Sequence, residues 1–187
     1  MTDARFTSAC ATGDDWQTVA RQCLSELETG SLPASLGLLY VTEPLAPYIA
    51  DLHSHLRDKT GVQDWVGTVG GGICAPGREI YDEPAASVML ASLPDEAYRL
   101  IPSGIDALSE MLVNNRDWIT EHAAHFGIVH GDPRDNRVPQ IIESLSHDLD
   151  PGFLVGKSRK DINEALGYPY IESVESHPVE RGSVLLQ

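Results

Sequence analysis

The residues best placed to do chemistry in this chain gather on one glycine-rich stretch. Trp65-Val66-Gly67-Thr68-Val69 runs into Gly70-Gly71-Gly72, and Cys74 and then Gly77-Arg78-Glu79 follow. Successive glycines leave backbone amides room to approach a carboxylate or phosphate, and a loop beyond the carboxyl end of a strand is where open α/β sheets bind ligands. The plainer reading is a crowded turn that only glycine tolerates. Arg78 and Glu79 offer one charge for each end of an amino-acid zwitterion, against the alternative of a solvated edge. Cys74 beside such amides has the placing of a nucleophile near an oxyanion hole. No partner base is identifiable among the 7 histidines, so a structural cysteine is the expectation.

A second set lies further along. His130 and Asp132-Pro133 end an apolar run, and Gly152-Phe153-Leu154-Val155-Gly156-Lys157-Ser158 imitates a P-loop. A P-loop needs four residues between its glycines and a flexible loop there; Phe153-Leu154-Val155 reads as a strand, so nucleotide binding is not expected. His53 and His55 point apart on a helix, and His125 falls where a strand begins, away from His122. No metal site follows. The ligand-contacting residues expected are therefore Gly70, Gly71, Gly72, Arg78, Glu79, Asp132, Lys157 and Ser158, with no catalytic residue.

These residues need elements to position them. Trp16, Val19, Ala20, Cys23, Leu24 and Leu27 recur at helical spacing over 14–28, between a Gly-Asp-Asp start and Gly30. Leu36 to Val41 reads as a buried strand, and Tyr48, Ile49, Leu52 and Leu56 as a helix with Pro47 in its first turn and Gly61 as its stop. Trp65 to Val69 and Ala86 to Ala91 are two more strands. A similar series follows: 127–130 echoes 37–40, the helix opened by Pro139 echoes the one opened by Pro47, 154–156 echoes 65–67, and 183–186 echoes 87–90. Regular offsets of this kind signal duplication. The expected fold class is α/β, with duplicated strand-helix-strand-strand units forming mixed sheet or sheets covered by helices. The boundaries are one domain over 1–187, repeats at about 35–94 and 125–187, and a helical linker over 95–124 interrupted at Asn114-Asn115. Crossover helices make the first two strands of each unit parallel, with the third adding antiparallel.

Composition narrows the partners. The 28 acidic residues against 13 basic give a formal charge of -15, which repels phosphate backbones and anionic lipid. Neither nucleic acid nor membrane is expected. Three separated cysteines without C-x-x-C spacing suggest reduced thiols, and the first residues lack a leader pattern. The expectation is a cytoplasmic protein. The apolar run at 184–186 lacks a polar tail, which reads as a cut, or as a strand open to pairing between copies of the chain.

The run from Trp65 to Ile73, the Gly77-Arg78-Glu79 step, and Ser87-Val88-Met89-Leu90 closing on Leu93-Pro94 resemble the N-terminal FIST domain (F-box and intracellular signal transduction proteins). Leu36 to Tyr40, Asp132-Pro133 and Leu154-Val155-Gly156 extend the resemblance. It implies a sensory domain that binds a small ligand, an amino acid or similar metabolite, in signal transduction, without enzymatic activity. A signalling-protein partner is also implied. No cofactor is expected, although some relatives are said to bind haem. Gly156-Lys157 departs from a double glycine common in the family, and the family's C-terminal partner domain is not among these residues. An interaction scaffold is the first alternative, and a thiol enzyme using Cys74 the second.

Overall fold

In the computed structural model, residues 5–27, 33–94, 96–102, 108–130, 138–149, 152–157 and 182–186 are described. They divide into two units at residue 95. The first begins with β1 (Arg5–Thr12), a strand of mostly small residues that the apolar pattern does not announce. Helix α1 (Trp16–Glu26) follows, opened by Asp15, whose carboxylate accepts the Thr18 N–H at 2.7 Å. Next come β2 (Leu36–Thr42), a 3-10 turn over Glu43–Tyr48, α2 (Ile49–Thr60) and β3 (Asp64–Gly70). Pro47 falls inside the 3-10 turn, so α2 starts two residues later than Pro47 suggests, and Gly61 closes it at φ 76°. A short hairpin, β4 (Gly72–Ala75) with β5 (Arg78–Tyr81), precedes β6 (Ala85–Ser92).

The first sheet has the order β1-β6-β2-β3; β2 and β3 are parallel, and β6 is antiparallel to both its neighbours. Alternation along the strands separates two faces. One face carries Ala9, Ala11, Leu39, Val41, Trp65, Ala86, Val88 and Leu90 against α1 and α2. The other carries Cys10, Tyr40 and Ala85 against Ile73, Ile80 and Ala75 of the hairpin. Hydroxyls from the two ends of β2 fix the central strand. Ser35 Oγ accepts the Leu93 N–H at 3.1 Å, and Thr42 Oγ1 accepts the Ala85 N–H at 2.9 Å while donating to the Glu83 carbonyl at 2.6 Å.

The second unit contains β7 (Tyr98–Pro102), α3 (Leu108–Glu121), β8 (Phe126–His130), α4 (Val138–Asp148), β9 (Phe153–Lys157) and β10 (Gly182–Leu186). Its sheet has the order β7-β10-β8-β9, with β8 and β9 parallel and β10 antiparallel to both its neighbours. Matched strand for strand, this is the order and sense of the first sheet. Trp118, Ile119, Ala124 and Leu149 form its helix-side core with Leu154.

Three expectations change. The segment 95–124, read as a linker, supplies an outer strand of the second sheet and its first helix. That helix runs through Asn114-Asn115 without a break, because propensity is a weak prior against the packing of a helix on its sheet. The run at 184–186, read as open to another copy, lies inside its sheet with β7 on one side and β8 on the other. Both of its edges are taken, so it is not a strand for oligomerisation.

Candidate functional site

The hairpin decides what the glycine-rich stretch can do. Its register sets Ile73 opposite Ile80 and Ala75 opposite Arg78, while Cys74 is opposite Glu79 and Gly72 opposite Tyr81. Alternation therefore turns Ile73, Ile80, Ala75 and Arg78 toward the sheet and Cys74, Glu79 and Tyr81 away from it. Arg78 donates from Nη2 to the Cys10 carbonyl on β1. Glu79 instead accepts the Tyr81 hydroxyl at 3.0 Å on the exposed side. Arg78 and Glu79, expected to serve one ligand together, do not converge.

The three glycines divide between the strand ends. Gly70 closes β3 and Gly72 opens β4, with Gly71 at the bend between them. A Cβ on Gly72 would fall against the Tyr81 ring, so close approach is what requires glycine there. The left-handed residue of the hairpin is Gly77, at φ 77°.

Beneath the hairpin, register brings four side chains into one row across the sheet: Cys10 of β1 beside Ser87 of β6, Ser87 beside Tyr40 of β2, and Tyr40 beside Thr68 of β3. Alternation puts all four on the face away from the helices. The three hydroxyl residues are half-buried and Cys10 is buried. Burial raises the Tyr40 phenol above its ordinary value, so it stays a neutral donor and acceptor. Burial also raises the Cys10 thiol; Arg78 works against that through its charge and hydrogen bond, and Glu26 adds to it. The row lies near the carboxyl ends of the parallel pair β2 and β3, and the hairpin carries Arg78 over its β1 end. None of Tyr40, Thr68, Ser87 and Cys10 was singled out by the sequence pattern. The period-2 alternation of Arg78-Glu79-Ile80-Tyr81 was the available signal for separating Arg78 from Glu79.

Cys74 is exposed and paired with Glu79. Three of the described histidines stack on or meet tryptophan rings: His53 lies edge-on to Trp65 with ring centroids 5.7 Å apart, His55 edge-on to Trp16 at 6.0 Å, and His122 is stacked on Trp118 at 4.7 Å. His125 bonds the Ala123 carbonyl at 3.1 Å. Trp65 itself is buried in the helix-side core, its Nε1–H donated to the Val62 carbonyl at 2.9 Å. Among the described residues no three His, Cys, Asp or Glu side chains form a group able to hold a metal ion, and no helix is long and apolar enough to cross a membrane.

In the second unit, Lys157 ends β9, with its backbone in register with His130 at the end of β8. His130 is buried. Asp132 and Ser158 lie outside the described residues.

A mixed sheet with helices on one face and a hairpin over the other defines an α/β domain. The sequence profile of the FIST N domain matches residues 35–158, about two thirds of the chain, and the protein belongs to that family. The FIST domain is a sensory-type domain of signalling proteins, associated with small-ligand binding. No curated protein is significantly similar to the chain.

Proposed function

We propose that the chain is a non-enzymatic sensory domain that binds an amino acid or similar small metabolite on the hairpin-bearing face of the first sheet, beside the hairpin. The observation that carries this reading is the Ser87–Tyr40–Thr68 row beneath a hairpin bearing Arg78. Neutral hydroxyls pair with an amine or a carboxylate alike, and a guanidinium nearby favours the carboxylate. The chain's formal charge of -15 favours a zwitterion or amine over a multiply charged anion. The protein works in the cytoplasm, without a bound cofactor, and passes occupancy on to a signalling partner. Tyr40, Thr68, Ser87 and Arg78 take the contact roles, with Gly70, Gly71 and Gly72 shaping the mouth.

The test is a thermal-shift screen against amino acids, small carboxylates, nucleotides and haemin, on the native chain, Tyr40→Phe and Arg78→Ala. A ligand that binds only the folded state raises the midpoint with concentration, by about 2.7 kcal/mol of stability at a hundred times its dissociation constant. A rise with an amino acid, lost in Tyr40→Phe while that variant folds normally, supports the reading. A response to haemin alone, or none in the screen, overturns it.

A further inference from the structure

We propose that the open edge of β1 takes up an extended, positively charged segment of a partner protein as a fifth strand of the first sheet. Among the described residues β1 pairs only with β6, so no described strand lies along its other edge. Which groups it presents there follows from Cys10. The Cys10 N–H goes to Glu26 Oε2 at 3.4 Å and its carbonyl accepts from Arg78; both partners lie off the sheet, so the Cys10–Ser87 pair exchanges no ladder bonds. Antiparallel pairs alternate between bonded and non-bonded, so Ser8–Met89 and Phe6–Ala91 are non-bonded as well. Two further contacts agree with this phase. The Ala91 carbonyl is taken from the β2 side by the Ser35 N–H at 2.8 Å, and the Gly13 N–H continues the β1–β6 ladder to the Pro84 carbonyl at 3.1 Å.

Phe6 and Ser8 therefore present two N–H groups and two carbonyls to the outside in strand spacing. Cys10, one step further, is closed by Glu26 and Arg78, which end the available ladder and set the register of anything that adds to it. The Phe6 side chain is 59% exposed and points to the face that carries Met89, itself 39% exposed. An added strand gains main-chain bonds from the edge and apolar contact from these two side chains, as strand addition requires. The occupant's charge follows from the whole chain. At -15 a second copy is repelled and a cationic segment is drawn in. This edge is separate from the ligand reading: it uses the backbone of β1, not the hydroxyl row.

The test uses the full chain and a short fluorescent peptide of alternating valine and lysine, with a second peptide of the same sequence N-methylated at every amide. Anisotropy is read for the native chain and for Ser8→Pro, which removes one outward donor and leaves the β6 ladder intact, because proline is tolerated where an edge N–H faces solvent. The expected result is binding of the first peptide only, about tenfold weaker in Ser8→Pro, with the Phe6 and Ser8 amides of the native chain protected from exchange on binding. Equal binding of both peptides, no binding, unprotected amides, or sedimentation showing the chain paired with itself through this edge overturns the proposal. Ligand shifts in the thermal screen are unchanged by Ser8→Pro, so this proposal and the sensory reading fail separately.

Discussion

Arg78 and Cys10 stand 68 residues apart in the chain and are joined by a hydrogen bond from the guanidinium to the main-chain carbonyl. One side chain thereby ties the hairpin to the outer strand of the sheet it covers. Arg78→Ala leaves that carbonyl to water and frees the hairpin to lift. The expected outcome is faster alkylation of the Cys10 thiol in the variant than in the native chain, read by mass spectrometry after a short iodoacetamide pulse.

The three cysteines should separate cleanly in the native protein. Cys74 is exposed, Cys10 is buried, and Cys23 is buried with its thiol near the Ala86 carbonyl at 3.7 Å and its pKa pushed up to about 12, chiefly by burial. Because the thiolate is the reactive form, Ellman's reagent is expected to titrate one thiol rapidly and all three only after denaturation. Cys74→Ser should abolish the fast phase.

Two glycines should respond differently to alanine. A Cβ on Gly67 would run into the Leu39 carbonyl of the paired strand, a backbone atom held by the β2–β3 ladder. Gly67→Ala is expected to cost about 3 kcal/mol or more. At Gly77 the space is open and only the φ of 77° opposes a side chain, so Gly77→Ala should cost about 1–2 kcal/mol. Urea midpoints at constant m-value measure both.

His53 gives the fold a pH dependence of definite sign. It is buried on α2, among the described residues its Nε2 has no hydrogen-bond partner, and burial followed by the Arg57 charge lowers its pKa below the ordinary 6.5. The unfolded chain takes up the proton first as pH falls, so stability is full above about 6.5 and declines as pH drops through the folded value. Comparing urea melts at neutral and mildly acidic pH, the native chain should lose more stability than His53→Phe.

Tyr81 reports on the outer side of the hairpin. Its hydrogen bond to Glu79, then the carboxylate's charge, raises the phenol's pKa. In Glu79→Gln, an ultraviolet titration should show one tyrosine ionising at lower pH than in the native chain, with ligand response unaltered.

Much of this architecture can be read from the sequence where side chains are apolar and periodic. Leu36 to Val41 and Ala86 to Ala91 declare strands because each lies in the sheet interior, Trp65 to Val69 declares one at the sheet's edge through its own apolar run, and the parallel pairing follows from the intervening helix. Residues 5–12 do not declare themselves. A strand with one open edge and small side chains carries no apolar run, and Tyr98 to Pro102 is missed for the similar reason that an outer strand needs few core contacts. The glycine-rich stretch points to the right corner of the fold, yet Tyr40, Thr68 and Ser87 are hidden from a linear reading. Their adjacency is a product of register between three strands, and no local pattern encodes it.

The place of β10 bears on the order in which the protein is built during synthesis. The first sheet has all four of its strands once Ser92 has been made. The second cannot close then or for a long while after, because β7 and β8 have no contact as neighbours until residues 182–186 enter between them. Among the described residues, β8 until that moment has one edge without a neighbour and β7 has no partner strand, so long-range closure is paid late. A ribosome that stalls before residue 182 would release a chain with one finished unit and one exposed half-sheet, a species prone to aggregate.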